Sequence, residues 1–173
     1  NGLPNTAAYI DDIIIASPDK PTHEQHLSDT LLRLNDNHLK LKLSKCKFFQ
    51  PKVEFLGHIL SHEGIRPLPE RIKAIKEFPR PETVTTLRSF LGMVNYCRRF
   101  IPNISATLVP LTSMSAGPKK QQLFWSEEAD KAFHQIKLDI TQTTALRFPD
   151  GSLPITLTTD ASNIAIGAVL MQV

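Results

Sequence analysis

One stretch constrains this chain more than any other. It is Tyr9-Ile10-Asp11-Asp12, flanked by Ala7-Ala8 on one side and Ile13-Ile14-Ile15-Ala16 on the other. Two short apolar runs interrupted by acids read as strand, tight turn, strand, with both strands expected to be buried. Neighbouring carboxylates between buried strands are costly, because desolvation and like-charge repulsion both disfavour the doubly ionised state. A shared proton, a basic partner or a bound metal ion relieves the cost. Two divalent ions about 3.5–4 Å apart are the arrangement used for in-line phosphoryl displacement. Carboxylate oxygens suit Mg²⁺, which keeps water and substrate phosphates as its other ligands. An exposed hairpin tip, with the two aspartates as solvated turn residues, accounts for the same letters equally well. These residues alone leave both readings open.

The charge distribution is compatible with either. The formal net charge is only +3, yet residues 40–120 hold fifteen Lys and Arg against five acids, and no acid falls between Thr83 and Ser126. A basic central block beside an acidic strand tip suits a phosphate-rich polymer approaching metal-binding carboxylates, although a solvated basic face produces the same asymmetry. With 173 residues the chain is long enough for one ordinary domain or two small ones. No apolar run approaches the roughly 20 residues of a membrane-spanning helix, and no signal peptide precedes the first strand, so an intracellular, non-secreted protein without a membrane partner is expected. Cys46 and Cys97 sit in unrelated contexts and read as buried thiols of a reducing compartment.

Along the chain the fold class reads as α+β. Thr22 and Gln25 form a capping box, and Leu27, Leu31 and Leu34 predict a helix over 22–36. His23 and His26 lie within one turn of it, but no third ligand stands nearby, so they read as surface histidines. Leu39, Leu41 and Leu43 alternate with Lys40, Lys42 and Ser44, which predicts a half-buried strand with a basic outer face. A further strand is expected over 53–60, where Gly57 signals a bulge or a close backbone approach. Helices follow at 69–78 and 84–100, the second capped by Thr83, and a shorter one carries Leu108, Leu111 and Met114 after Pro102-Asn103. Ala116-Gly117-Pro118-Lys119-Lys120 is the best linker candidate. Ser126 caps a helix with Ala129, Phe133, Ile136 and Ile140 on one face. Ile155, Leu157 and Thr159 then alternate toward Asp160, and after Ala161-Ser162-Asn163 a second strand runs from Ile164 to Val173.

Taken in order, these blocks resemble the reverse transcriptase of gypsy-class long-terminal-repeat retrotransposons, part of their Pol polyprotein. Tyr9-Ile10-Asp11-Asp12 resembles the polymerase's Tyr-x-Asp-Asp motif, and Ser44-Lys45-Cys46 with Phe48 the palm segment after it. Phe55-Leu56-Gly57-His58 is similar to the primer-grip hairpin, and Gly64-Ile65-Arg66-Pro67 to the exit from the palm. The run from Leu87 to Tyr96, ending in Arg99-Phe100-Ile101-Pro102, resembles the thumb. Phe124-Trp125 resembles the connection, and Thr159-Asp160-Ala161-Ser162 with Gly167-Ala168-Val169-Leu170 the opening strands of the RNase H-like domain. The implied division is a partial palm over 1–67, a helical thumb over 68–116, a connection over 117–152 and the start of an RNase H-like domain over 153–173.

The resemblance implies roles. Asp11 and Asp12 would be catalytic, metal-binding carboxylates for Mg²⁺, with Mn²⁺ as an alternative, and Asp160 the first such carboxylate of a nuclease that cuts the RNA strand of a hybrid. Tyr9 would contact the template-primer, and Phe55, Leu56 and Gly57 would position the primer end. Lys45 would meet a phosphate, unless it is a solvated surface lysine. Arg88, Arg98 and Arg99 would hold the duplex backbone without reading sequence. The implied partners are an RNA or DNA template-primer duplex, deoxynucleoside triphosphates and the rest of the Pol polyprotein. The family's polymerase also uses a third carboxylate upstream, its nuclease uses more downstream, and a helix's length of chain normally follows the segment resembled by Gly2-Leu3-Pro4-Asn5. The isolated chain is therefore expected to be inactive, and a non-catalytic nucleic-acid-binding remnant or a decayed open reading frame are the alternatives.

Overall fold

The structure is a computed structural model and describes residues 2–101, 103–143, 145–161 and 166–172. Its first element is an antiparallel hairpin of β1 (Thr6–Tyr9) and β2 (Asp12–Ile15), in which Tyr9 pairs with Asp12. The crest is therefore Ile10-Asp11, not the acid pair, and Asp12 already belongs to β2. Ile10 takes φ +52, a left-handed conformation that a β-branched residue rarely adopts. The expectation of buried strands is also corrected. β1 and the start of β2 are largely exposed, and β2 leans on the helix that follows.

That helix, α1 (Lys20–Asp36), begins earlier than the Thr22–Gln25 box predicts. Asp19 is the cap: its carboxylate accepts the Thr22 N–H and the Thr22 hydroxyl, both at 2.9 Å, while Gln25 turns away to donate to Asp29. These two hydrogen bonds from Thr22 hold the Asp19 carboxyl below the usual carboxylate value. Beyond α1 the predicted half-buried strand at Leu39, Leu41 and Leu43 does not form. The chain instead makes a short 3₁₀ turn, Leu43–Lys45, and all three leucines are exposed. Alternation alone does not make a strand; a ladder partner must supply donors and acceptors, and here local bonds such as Cys46 N–H to Leu43 O take that place.

The expected strand over 53–60 is a hairpin. β3 (Lys52–Phe55) and β4 (His58–Ser61) are joined by Leu56-Gly57, which take φ +49 and +72. Positive φ at both central residues is the geometry of a two-residue hairpin turn. β5 (Gly64–Pro67) completes an antiparallel meander. Its free edge is met by Leu146, which exchanges both backbone hydrogen bonds with Ile65 at 2.8 and 3.0 Å. Gly64 makes that approach possible: it sits at φ +123, and a Cβ there would collide with the Leu146 carbonyl group and lie 3.0 Å from Arg147 Cα. Gly64→Ala combines backbone strain with a backbone clash and is expected to lower stability by about 2 kcal/mol or more. Gly92→Ala is expected to have the opposite sign. Gly92 lies inside a helix with nothing in the way of a Cβ, so it should gain roughly 0.5–1 kcal/mol. Paired denaturant midpoints of the two variants check both signs.

The helices form the core. α2 (Pro69–Lys76) starts on Pro69, α3 (Val84–Cys97) starts on a reciprocal Thr83–Thr86 capping box, and α4 (Ile104–Met114) follows a 3₁₀ turn, Arg98–Phe100. α3 thus ends earlier than the 84–100 expected. Pro102 lies outside the described residues. α5 (Glu127–Asp139) is capped by the Ser126 hydroxyl accepting from Ala129 N–H at 3.1 Å. Ile75, Leu87, Phe90, Leu108, Leu111, Phe133 and Ile136 belong to one buried cluster, so the helices resembling the thumb share a core with the helix resembling the connection. The linker candidate at 116–120 is tied down: Thr85 N–H and hydroxyl donate to Lys119 O, Val84 N–H to Gln121 O and Leu123 N–H to Glu82 O. Trp125 Nε1 then donates to Pro81 O at 2.9 Å.

Cys97 is fully buried in this core, whereas Cys46 is only half-buried, and both are free thiols. Burial pushes the Cys97 thiol up, with nearby Arg71 pulling weakly the other way. A thiol that is both protonated and inaccessible reacts slowly, so iodoacetamide at neutral pH should label Cys46 at least about tenfold faster than Cys97. Mass-spectrometric time courses on the native protein measure the two rates.

The last element is a hairpin of β6 (Ile155–Ala161) and β7 (Ile166–Gln172), with Asp160 paired to Gly167. The expected turn residues Ser162 and Asn163, the expected strand start at Ile164 and Val173 lie outside the described residues. Ile155, Leu157, Ile166, Val169 and Leu170 are all exposed. The Gln172 amide fastens the hairpin to the preceding turn, accepting from Asp150 N–H and donating to Asp150 O, each at 2.7 Å.

Candidate nucleic-acid and metal site

Asp11 and Asp12 line a cleft of about 1500 Å³ between the β1–β2 hairpin, α1 and the segment that enters β3. The same cleft is lined by Lys40, Lys42, Lys45 and Lys47, by Phe48 and Phe49, and by Phe55 at the β3 end. The sequence places these carboxylates and lysines 28 to 36 positions apart; the fold sets them around one opening. The two carboxylates are exposed rather than buried, so the desolvation argument made from the sequence does not apply to this structure. Their oxygens face solvent and can accept ligands directly. Two adjacent carboxylates fit a hard divalent ion that keeps most of its other positions for water and phosphate. Among the described residues no group of three or more His, Cys, Asp or Glu is placed to hold a metal alone. His23 also faces the cleft, but its Nδ1 lies 3.2 Å from the Ser17 hydroxyl, which His26 engages at 2.8 Å, so this pair ties the β2 exit to α1.

The remaining candidates separate into distinct places. Tyr9 is half-exposed in β1, opposite Asp12. Leu56 and Gly57 form the β3–β4 turn, which meets α3. There the Tyr96 hydroxyl donates to Leu56 O, and His58 Nδ1–H is shared between that carbonyl at 2.9 Å and the Tyr96 oxygen at 3.1 Å. Burial holds the His58 imidazole below its usual value, opposed by the bond to Leu56 O and reinforced by the Arg99 and Arg71 cations. Among the described residues His58 Nε2 has no partner, as a buried bare lone pair can at modest cost when the proton sits on Nδ1.

The arginines differ among themselves. Arg88 donates from Nε and Nη2 to Ser115 O and from Nη2 to Gly117 O, so its guanidinium closes the C-terminal end of α4. Arg98 donates to the Ser105 hydroxyl at 2.6 Å, and it and Arg99 are exposed at the end of α3. Asp160 stands on the separate β6–β7 hairpin. Sequence reasoning missed His58, Arg71 and Tyr96 as a group. The one signal for them was Gly57, whose expected close approach is to Tyr96.

Comparison with known proteins places this geometry. A reverse transcriptase (RNA-dependent DNA polymerase) profile matches residues 4–60, and a profile of the RNase H-like domain found in reverse transcriptase matches residues 125–173. The retrovirus-related Pol polyprotein from transposon 297 of Drosophila melanogaster is 40% identical over 166 residues, 95% of this chain. The chain belongs to the reverse transcriptases of retrotransposon Pol polyproteins. The Pol polyprotein from transposon gypsy of the same fly is 37% identical over 95% of the chain, and the Tf2-3 polyprotein of Schizosaccharomyces pombe is 36% identical over 97%. This reverse transcriptase segment spans 15%, 17% and 12% of those three relatives. In fold it is similar to the foamy viral protease-reverse transcriptase solved with double-stranded DNA, with a TM-score of 0.86 at 23% identity over 99% of this chain and 30% of that one. The same viral protein solved with an RNA/DNA hybrid gives a TM-score of 0.81 at 23% identity, over 98% of this chain and 25% of that one. No helix among the described residues is long and apolar enough to cross a membrane.

Proposed function

We propose that this segment supplies part of the polymerase site of an RNA-directed DNA polymerase that extends a primer on an RNA or DNA template. One observation carries the reading: Asp11 and Asp12 open onto the same cleft as Lys40, Lys42, Lys45 and Lys47. Carboxylates alone repel a nucleoside triphosphate; set against a lysine wall, they can take up metal while the wall offsets phosphate charge. Mg²⁺, or Mn²⁺ in its place, would be held by Asp11 and Asp12 and would stabilise the attacking and leaving oxygens of the transfer. The chain's own residues do the rest. Lys45 meets phosphate, Tyr9 lies against the template-primer beside Asp12, and Phe55, Leu56 and Gly57 hold the primer end. Arg98 and Arg99 are exposed cations suited to the duplex backbone. Arg88 serves that role indirectly, by fixing the α4 end.

The same reading divides the chain into palm, thumb and connection, followed by the start of an RNase H-like domain in which Asp160 is a nuclease carboxylate. It makes the segment one part of a longer Pol polyprotein working inside the cell on deoxynucleoside triphosphates. The isolated segment is inactive on this reading, because the other carboxylates of both sites come from the rest of that chain. The test is primer extension by the Pol polyprotein that carries this segment, with Mg²⁺. Incorporation that survives loss of the Asp11 carboxylate would remove the reading.

A further inference from the structure

Tyr96 stands in the last turn of α3, with its ring on the margin of the helical core and its hydroxyl outside it. Among the described residues the hydroxyl's hydrogen-bond partners are Leu56 O and His58 Nδ1, one in the β3–β4 turn and the other at its exit. The ring is held between two groups: His58 stacks on it at 4.8 Å with an interplanar angle of 18°, and the Arg71 guanidinium lies 4.2 Å from its centroid. Arg71 comes from α2, so the turn is gripped from both α2 and α3. The approach is built from the turn's side as well. Gly57 has no Cβ; one placed there would strike the Tyr96 hydroxyl and lie 3.1 Å from Cζ. Leu56 accepts a left-handed φ of +49, which turns its carbonyl toward the phenol. A phenylalanine at 96 would fill the same volume, so packing requires the ring but not the oxygen.

We propose that Tyr96 is a positioning residue of the polymerase, whose hydroxyl locks the Leu56-Gly57 turn to α3 so that the primer end and the helical unit move as one body. The proposal rests on the reading above, in which this turn holds the primer end. Chemistry at a primer terminus is sensitive to placement, since a shift of about 1 Å can cost about 10²-fold in rate. A turn hung only on its own two-strand ladder leaves that placement loose, and the phenol removes the looseness without touching substrate.

The test uses the full Pol polyprotein. Tyr96→Phe is expected to lower kcat for single-nucleotide incorporation about tenfold or more. The duplex Kd, the KM for the nucleotide and the Tm should stay close to wild type. Gly57→Ala should also slow incorporation, and its penalty should be smaller in the Tyr96→Phe background, because the oxygen it strikes is gone. Unchanged kcat in Tyr96→Phe overturns the proposal, as does loss of Tm and duplex binding in parallel with kcat, which would make Tyr96 a packing residue. Strict additivity of the two substitutions also overturns it. Failure of the underlying reading looks different: the wild-type enzyme would extend no primer, or Asp11→Asn would remain active.

Discussion

Asp11→Asn and Asp12→Asn should each abolish primer extension by the Pol polyprotein while leaving it folded and bound to duplex. Asn keeps the shape and removes the charge, so a hard divalent ion loses an anionic oxygen donor. Removing a group that merely orients a metal ligand costs about 10–100-fold; removing a ligand itself should cost more, on the order of 10³-fold. Both residues are exposed, and among the described residues no hydrogen bond is made by their side chains, so neither variant should change the Tm appreciably. Duplex affinity should hold or rise slightly, because a negative charge leaves a cleft that faces polyanion. Extension assays across a Mg²⁺ titration, beside filter binding at two salt concentrations, separate the two effects. A variant that is slow at low Mg²⁺ and recovers fully at high Mg²⁺ would show that one carboxylate tunes affinity without being required. Full activity of both variants at every concentration would remove the metal role altogether.

How far the sequence could carry this is clearest where it misled. Helices were legible because their determinants are local. Thr83 with Thr86, Ser126, and the spacing of Leu87, Leu91 and Val94 each act within a turn or two of the residue concerned. Strands need a partner, and no local pattern supplies one: Leu39, Leu41 and Leu43 alternate as a strand would and yet lie exposed, the first two in irregular backbone and the third in a 3₁₀ turn. The break at Leu56-Gly57 is a backbone event, marked in the local pattern only by a glycine and otherwise by the resemblance of Phe55-Leu56-Gly57-His58 to a hairpin. The segment at 116–120 has a linker's composition, but its backbone groups find partners at Val84 and Thr85, and composition is blind to that.

The site follows the same division. Adjacent aspartates and a lysine-rich stretch are plain in the sequence, and the fold lines one cleft with both. Their exposure was one of two readings the sequence left open, because burial of β1 and β2 depends on what packs against them. Tyr96 and Leu56 are 40 positions apart, and the hydrogen bond between them exists only because α2 and α3 pack as they do. Arg88 adds a contact that no sequence pattern showed: its Nε and Nη2 donate to the Ser115 and Gly117 carbonyls, since the carbonyls at a helix C-terminus attract a cation as a phosphate does.

Phe90→Ala should be the most destabilising single change in the helical unit. Phe90 is completely buried and its ring meets both Phe78, at 5.5 Å between centroids, and Phe133, at 4.8 Å. It therefore joins α3 to the end of α2 and to α5, the helix resembling the connection. Truncating a buried Phe to Ala costs about 3–5 kcal/mol, part of it transfer energy and part the cavity left behind. Against a total domain stability of about 5–15 kcal/mol, that is enough to populate the unfolded state. Phe124→Ala is the matched control, since Phe124 is 89% exposed and two residues before the Ser126 cap. It should stay within about 0.5 kcal/mol of wild type. Urea midpoints followed at Trp125 fluorescence report on both, because Trp125 packs edge-on against Phe133 at 5.5 Å. If thumb and connection share one core, Phe90→Ala lowers a single midpoint seen alike by Trp125 and by far-UV circular dichroism. Two separated transitions, with the Trp125 signal untouched by the substitution, would show that α5 is stable without α3.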